Sequence, residues 1–190
     1  MKLRFVAFAL ATTALAAPAF AAPVSGGRVE ALVGYDNVNA DLGPLGEGDT
    51  GGVLYGVGVG YDFALAPTAS IGIDAEVTDA TTDIEFTDGA DSAEVSVGRD
   101  LYVGGRVTAA VSESFNLYGK LGYTNARIKA RATIGGVTES DAANGDGIRA
   151  GVGGQFALGA NSYVGTEYRY SNYEGGFERH QVAATVGFRF

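Results

Sequence analysis

The chain has 190 residues, a length that suits one domain with a substantial core. Its 30 glycines and four prolines, without a period-three glycine repeat, exclude a collagen-like fibre, and 46% hydrophobic residues argue against wholesale disorder. The absence of cysteine excludes disulfide frameworks, thiolate metal sites and cysteine nucleophiles. The formal net charge of −9 argues against a nucleic-acid partner, because phosphate binding requires clustered Lys and Arg.

Residues 1–21 have the three parts of a secretory signal peptide. Lys2 and Arg4 supply the positive n-region, an apolar stretch follows, and Ala19 to Ala21 form an A-x-A cleavage site. We therefore predict export with cleavage after Ala21, which leaves residues 22–190 as one mature domain. No later run approaches the roughly 18 apolar residues of a transmembrane helix.

From Gly27 onward, apolar residues alternate with small or polar ones. Between Val53 and Phe63 every odd position is large and apolar, and glycines occupy most of the even positions. A strand with two unlike faces produces this period of two, whereas an amphipathic helix does not. The alternation predicts eight strands, at about 27–36, 52–63, 69–78, 94–111, 115–128, 147–157, 162–171 and 180–190.

Short and long links alternate strictly between these strands. All long links therefore lie at one end of an antiparallel sheet, and all short turns lie at the other. This asymmetry and the even strand count are typical of an all-β, eight-stranded antiparallel up-and-down transmembrane β-barrel with short periplasmic turns and long external loops. The short links are 64–68, 112–114 and 158–161, and the long polar links are 37–51, 79–93, 129–146 and 172–179.

The final strand ends in an aromatic residue on an alternating apolar face that includes Val186, Phe188 and Phe190. In this feature and in its architecture, the mature chain resembles the small eight-stranded outer-membrane proteins of Gram-negative bacteria, the OmpA/OmpX-type and opacity-like barrels of the porin family. The resemblance implies integral insertion in the cell outer membrane, and it implies that the assembly machinery reads Phe188 and Phe190. It also implies roles such as adhesion, immune evasion and envelope stabilisation. Because the chain stops at Phe190, we expect no peptidoglycan-binding domain.

Two observations favour an apolar face that meets lipid, rather than one that points inward as in a soluble lipocalin-type barrel. Apolar-face aromatics form two belts, as a bilayer with two interfaces selects. The belt at the short turns comprises Tyr61, Phe63, Phe115, Phe156, Phe188 and Phe190, and the belt at the long links comprises Tyr35, Tyr55, Tyr123 and Tyr170. The polar face carries bases and acids that can neutralise one another when enclosed, namely Arg28, Glu30, Asp74, Glu76, Asp100, Arg106, Lys120, Arg149, Glu167, Arg169 and Arg189.

A lumen this narrow must fill with side chains. If Phe63 faces Ala69, then Gly58 faces Asp74 and Gly56 faces Glu76. If Phe156 faces Val164, then Gly153 faces Glu167 and Gly151 faces Arg169. Because an isolated buried charge costs several kcal/mol, we predict a salt-bridged plug in which glycines leave space for charged groups. A narrow water path is the alternative.

The long links hold most of the acids, but one basic feature stands apart. If Val111 faces Phe115, then Arg99 faces Arg127, and Lys129 and Arg131 follow on the lipid-facing side. At ~3.3 Å per residue and ~40° tilt, these four cations stand roughly 30 Å above the short turns, just above an apolar band ~25 Å tall. We therefore predict contact with lipopolysaccharide phosphates at Arg99, Arg127, Lys129 and Arg131. A solvated loop base is the alternative.

The sequence offers little chemistry for catalysis. His180 is the single histidine, and a pair with Ser171 is conceivable but has no motif behind it. One histidine without cysteine makes transition-metal catalysis implausible, and the segment from Asp79 to Glu94 lacks the spacing of a known calcium loop. We predict no cofactor, no metal site and no enzymatic activity.

These observations favour a non-enzymatic outer-membrane barrel that contributes to envelope integrity or surface interaction through acidic external loops. The alternative is a narrow porin that passes small solutes. The expected partners are outer-membrane lipid, lipopolysaccharide and the assembly machinery, and the sequence does not identify a ligand for the loops.

Overall fold

The computed structural model describes residues 24–41, 47–88, 91–134, 137–174 and 176–190. The predicted signal peptide, residues 1–21, lies outside these residues. Within the described ranges, no helix is long and apolar enough to cross a membrane. The strands are β1 (Gly26–Asp41), β2 (Glu47–Ala66), β3 (Ala69–Ala80), β4 (Thr82–Asp88), β5 (Asp91–Ala110), β6 (Phe115–Ile134), β7 (Val137–Ala157), β8 (Ser162–Tyr173) and β9 (Phe177–Arg189).

The strands form one antiparallel sheet that closes on itself. β1 pairs with both β2 and β9, and β3 pairs with both β2 and β5, so the circuit has no gap. β3 and β4 both pair with β5 and are two parts of one barrel strand, interrupted at Thr81. The predicted eight-stranded up-and-down barrel is therefore confirmed.

The register gives the barrel its stagger. From Ala40, one circuit through the paired residues of all the barrel strands returns to β1 at Glu30, ten residues nearer the short-turn end. A stagger of this kind requires strands tilted by roughly 35–45° from the barrel axis, and eight strands enclose a space just wide enough for side chains.

The apolar face of the barrel points outward, as predicted. Val57 and Leu121 are 59% and 61% exposed, whereas Arg149 and Arg169 on the opposite face are 0% exposed. Tyr35 and Tyr55 lie on the exposed face toward the long hairpins, and Phe188 lies on it near the short turns. In water such a surface would be strongly unfavourable, but acyl chains solvate it.

Three of the four predicted long loops are largely strand. Residues 37–41, 47–51, 82–88 and 129–134 all continue the hairpins outward as arms, so the loop prediction was wrong there. Above the membrane the outer face of a strand meets water instead of lipid, so the hydrophobic alternation stops although backbone pairing continues. The hairpin β8–β9 does not share this extension, since β8 ends at Tyr173 and β9 begins at Phe177.

A tighter turn than predicted accounts for the register error between β2 and β3. β2 continues to Ala66 and β3 begins at Ala69, so, with a one-residue shift between Ala64 and Ala66, Phe63 pairs with Ile71 rather than Ala69. Asp74 consequently faces Gly60, and Glu76 faces Gly58, two residues from the predicted partners. The β7–β8 register has no such shift, and its predicted pairings of Gly153 with Glu167 and Gly151 with Arg169 are confirmed.

Candidate functional site: a filled lumen and an external cationic groove

The lumen encloses equal numbers of basic and acidic side chains among the described residues. The sequence prediction did not include Asp36, Asp62 and Arg179, all of which are buried. Arg179 was assigned to a loop because no alternation marks the start of β9, yet its side chain points into the barrel. The seven bases are Arg28, Arg106, Lys120, Arg149, Arg169, Arg179 and the half-buried Arg189, and the seven acids are Glu30, Asp36, Asp62, Asp74, Glu76, Asp100 and Glu167.

The inner tier of this network lies near the short turns and centres on Arg28. Its guanidinium pairs with both Asp62 and Asp74. Arg106 Nη1 lies 3.6 Å from Glu30 Oε1 and 3.8 Å from Asp74 Oδ2. These five side chains therefore form one connected cluster of two cations and three anions.

Neutral and basic side chains complete the inner end of the lumen. Tyr163 and Gln155 donate hydrogen bonds of 2.7 and 3.0 Å to Glu30. Arg189 donates to Gln155 at 2.5 Å, and its guanidinium lies 4.2 Å from the Tyr163 ring centroid. Packed side chains therefore occupy the short-turn end of the lumen.

The middle tier couples two acids to two bases. Lys120 Nζ lies 2.5 Å from Glu76 and 2.6 Å from Glu167. Arg169 Nη1 lies 3.1 Å from Glu76, and the same guanidinium bonds Glu167. Tyr118 donates a 2.6 Å hydrogen bond to Glu167. Because each acid contacts both bases, none of these charges is isolated in the lumen.

Two contacts join the tiers into one network. The Arg106 guanidinium lies 3.5 Å from the Tyr118 ring centroid, which links the inner and middle tiers. Arg149 Nη1 lies 3.9 Å from Glu76 Oε2 and links the middle tier to the outer one. The network therefore runs along the lumen, with the uncharged Tyr118 ring as the link between the inner and middle tiers.

Asp100 is the hub of the outer tier. It pairs with Arg149 and, at 2.9 Å, with Arg179. Thr124 and Tyr173 each donate a hydrogen bond of 2.6 Å to its carboxylate. The carboxylate thus has partners from four different strands, β6, β7, β8 and β9.

Asp36 holds the outer end of the lumen together. Arg179 lies 2.8 Å from its carboxylate, and Gln181 and Thr82 donate hydrogen bonds of 2.9 and 2.8 Å. Farther out, Val38 and Val97 are also buried. Val97 faces inward because the shift in the β5–β6 register between Val97 and Asp100 reverses the face of the strand.

Glycines make room for the charged tiers. A Cβ atom added at Gly58 would lie 3.2 Å from Glu76 Cγ, and one at Gly151 would lie 3.0 Å from Lys120 Cε. A side chain at either position would press on the ionic network, so the glycine content serves the filling of the lumen as well as strand twist.

A cationic groove lies on the outside of the arms. Arg127, Lys129 and Arg131 are exposed at alternate positions on the outer face of β6. The groove has a volume of about 600 Å³ and is lined by Ser96, Arg127, Lys129, Arg131, Ser140, Asp141 and Ala142.

The predicted cross-strand pairing of these cations was wrong. The β5–β6 register shift places Ser96 opposite Lys129 and Glu94 opposite Arg131, while Asp100 faces Ala126. Arg99 lies within the shift, is exposed, and does not line the groove. Three of the four residues predicted to contact lipopolysaccharide therefore line the groove.

The structure separates the one conceivable nucleophile–base pair. Ser171 is buried in the lumen and accepts a 2.8 Å hydrogen bond from Arg149 Nε. His180 lies on the opposite face, where Nδ1 is 2.7 Å from the Tyr168 hydroxyl and the ring packs against Tyr170. Since the barrel wall lies between them, Ser171 and His180 cannot act together.

The C-terminal residue completes the closure between β9 and β1. Phe190 N donates to Gly27 O at 3.0 Å, and Gly27 N donates to Phe190 O at 2.9 Å. The Phe190 and Phe188 side chains are exposed on the lipid-facing side. Their role as an assembly signal stays a prediction.

A closed barrel with a lipid-facing exterior and a charged interior defines the class of integral outer-membrane proteins. The chain belongs to the outer membrane protein beta-barrel domain family, whose model matches residues 7–190. No curated protein sequence matches it significantly.

Solved structures of similar fold include two small bacterial barrels. The attachment invasion locus protein Ail of Yersinia pestis is 17% identical, with a TM-score of 0.56 over 87% of this chain and 99% of Ail. Neisserial surface protein A is 15% identical, with a TM-score of 0.55 over 87% of this chain and 98% of that protein. At these identities the likeness shows the fold alone. Ail has also been crystallised with the heparin analogue sucrose octasulfate.

Proposed function

We propose that this protein is a non-conducting, non-enzymatic outer-membrane barrel that stabilises the envelope and presents its external arms for surface interaction. The observation that carries the proposal is the filled lumen, in which three linked tiers of ion pairs extend from Arg28 to Arg179. A porin needs a continuous water path, and these side chains occupy the space that eight strands enclose.

The charge balance of the lumen supports the same role. Seven bases and seven acids neutralise one another, so the network does not present a ring of one sign that would draw ions through. Many of the groups contact two or more partners, and an ion would have to displace several contacts at once. The network is therefore better suited to rigidity than to conduction.

We expect the mature protein to show no stable openings in planar bilayers. A variant carrying both Glu76→Ala and Arg169→Ala, which keeps the lumen neutral while removing two large side chains, is expected to conduct measurably. The matched control carries Asp83→Ala, which changes an exposed acid on an external arm. Stable wild-type openings that Glu76→Ala abolishes would instead establish the narrow porin.

The cationic groove supports a contact with the phosphates of lipopolysaccharide. Successive cations on β6 are two residues apart, so they rise in steps of roughly 5 Å above the outer aromatic belt. Among the described side chains, no ion pair within 4.0 Å includes Arg127, Lys129 or Arg131. A row of exposed cations just outside the apolar band is complementary to the negative charge of the outer-leaflet headgroups.

Neutralising the groove is expected to lower lipopolysaccharide retention. The variant carries Arg127→Gln, Lys129→Gln and Arg131→Gln, and lipopolysaccharide that co-purifies from outer membranes is measured by its phosphate content. We expect a reduction of at least tenfold, because each of the three exposed cations contributes ~1 kcal/mol near an anionic surface. The control exchanges Lys129 for Arg and both arginines for Lys, which preserves charge. Equal retention by all three proteins would disprove the contact.

The source of the anion and the contribution of Arg99 are tested separately. Sucrose octasulfate is titrated onto the lipid-free protein in detergent, so binding there would show that the groove also accepts a soluble polyanion. Arg99→Gln alone is expected to change lipopolysaccharide retention less than the triple variant, because Arg99 lies outside the groove.

A further inference from the structure

Among the residues that the structure describes, the outer part of β7 has a partner strand on one side only. Residues Val137–Asp146 pair with β6 along their whole length. The pairing of β7 with β8 begins at Gly147, which faces Tyr173 at the end of β8. Within the described part of the chain, no strand pairs with the other side of Val137–Asp146, which we call the β7 edge.

The backbone of the β7 edge presents hydrogen-bonding groups to solvent. Asp146 O accepts a 2.9 Å bond from Glu174 N, so the polar backbone groups of Asp146 point toward the β8 side. Residues at alternate positions point the same way. Ala142 N agrees with this direction, since it donates to the Asp141 carboxylate at 2.8 Å rather than to a strand. The amides of Thr138, Ser140, Ala142 and Asn144 therefore point, as a ladder, to the side of β7 away from β6, where the one at Ala142 is bonded to the adjacent Asp141 side chain.

The β7 edge lacks several devices that usually protect such a ladder. Protected edges are short, or carry Lys, Pro or a bulge. The β7 edge is ten residues long, reads VTESDAANGD, contains neither Lys nor Pro, and pairs with β6 without a register shift. Its side chains from Val137 to Asn144 are all exposed.

The charge of the edge selects among possible occupants. Glu139, Asp141 and Asp146 are its charged residues, so a second copy of the chain would bring like charges together across the new pair. Glu139 and Asp141 are two positions apart and therefore share one face of the strand. An incoming strand with cations at alternate positions would place them beside these two carboxylates.

We propose that the β7 edge binds an extended basic polypeptide segment by strand addition. The backbone ladder supplies affinity, and Glu139 and Asp141 select Lys or Arg at every second residue of the partner. The proposal deepens the surface-interaction role proposed above, and it does not depend on whether the lumen conducts.

The test uses the mature protein in lipid nanodiscs and a synthetic ten-residue peptide of alternating Lys and Thr. We expect saturable binding by calorimetry and slowed amide exchange at Ser140, Ala142 and Asn144. A peptide with Glu in place of Lys is expected to bind at least tenfold more weakly. A third peptide keeps the lysines but has every second backbone amide methylated. Its affinity is also expected to be at least tenfold lower.

A protein variant removes one rung of the ladder without changing charge. Ala142→Pro deletes an amide that has no strand partner and bonds only the adjacent Asp141 side chain, a change that an edge strand tolerates. It is expected to weaken binding of the Lys peptide at least tenfold. Asp141→Asn keeps the backbone ladder. It should weaken binding of the Lys peptide severalfold and should not strengthen binding of the methylated peptide.

Binding that survives both Ala142→Pro and amide methylation would overturn the proposal, because it would be electrostatic attraction without strand addition. Absence of binding by the Lys peptide would overturn it as well. Dimerisation through the β7 edge, detected by cross-linking of the wild-type protein, would show that a second copy is the occupant. None of these results would alter the conductance measurement.

Discussion

Asp100→Ala is expected to lower the free energy of unfolding by about 3–5 kcal/mol, the range for breaking a buried ion pair from one side. The substitution leaves Arg149 and Arg179 without their shared carboxylate, and it removes the acceptor for Thr124 and Tyr173. Equilibrium unfolding in urea, with the protein inserted in lipid vesicles, measures the change.

Two controls separate this effect from a general loss of charge. Asp83→Ala removes an exposed carboxylate and is expected to change the stability by less than about 0.5 kcal/mol. In the Asp100→Ala background, Arg149→Gln is expected to lower the free energy of unfolding by less than it does in the wild type, because the two residues form one pair. Additive costs in this cycle would contradict the role of Asp100 as a hub.

Gly122→Ala is expected to destabilise the barrel by about 1–3 kcal/mol, as overpacking of a filled interior does. Gly122 on β6 faces Gly104 on β5, and both glycines point into the lumen. An added Cβ would lie 2.8 Å from the carbonyl carbon of Val103 and would overlap the Gly104 Cα. The obstacle is backbone, so it cannot move aside as a flexible side chain would.

Gly119→Ala provides the matched control on the same strand. A Cβ at Gly119 would have its nearest neighbour at 3.9 Å, the Gly151 carbonyl oxygen, which is an ordinary contact. Since Ala restricts the unfolded chain more than Gly does, the free energy of unfolding of this variant is expected to equal that of the wild type or to exceed it by up to about 1 kcal/mol. Unfolding of both variants under identical conditions measures the difference, and equal stabilities would show that the lumen at Gly122 is loosely packed.

The sequence predicted the barrel because its signal is local and repeated. Val53 to Phe63 alternate over a full membrane crossing, and seven other segments do the same. A period of two needs no knowledge of the partner strand. The enclosed charges followed from the same rule, since Arg106 and Lys120 occupy the face opposite the valines and leucines.

The register was not predictable everywhere, because turn length and bulges depend on contacts between strands rather than on either strand alone. The tight turn between Ala66 and Ala69 moved the partners of Asp74 and Glu76, and the shift near Arg99 separated that residue from Arg127. The β7–β8 register was predictable because its short link leads into both strands without a bulge.

Hydrophobic patterning thus determined the number of strands, their lipid-facing surface and most members of the lumen network, since a bilayer imposes opposite chemistry on alternate residues. Tertiary structure decided which charges pair, because the partners of Asp36, Asp100 and Arg179 lie on other strands and at heights that closure and stagger set. It also decided where the wall extends into water. There pairing continues without a hydrophobic period, and the lengths of neighbouring strands show that β7 has an unpaired edge within the described ranges.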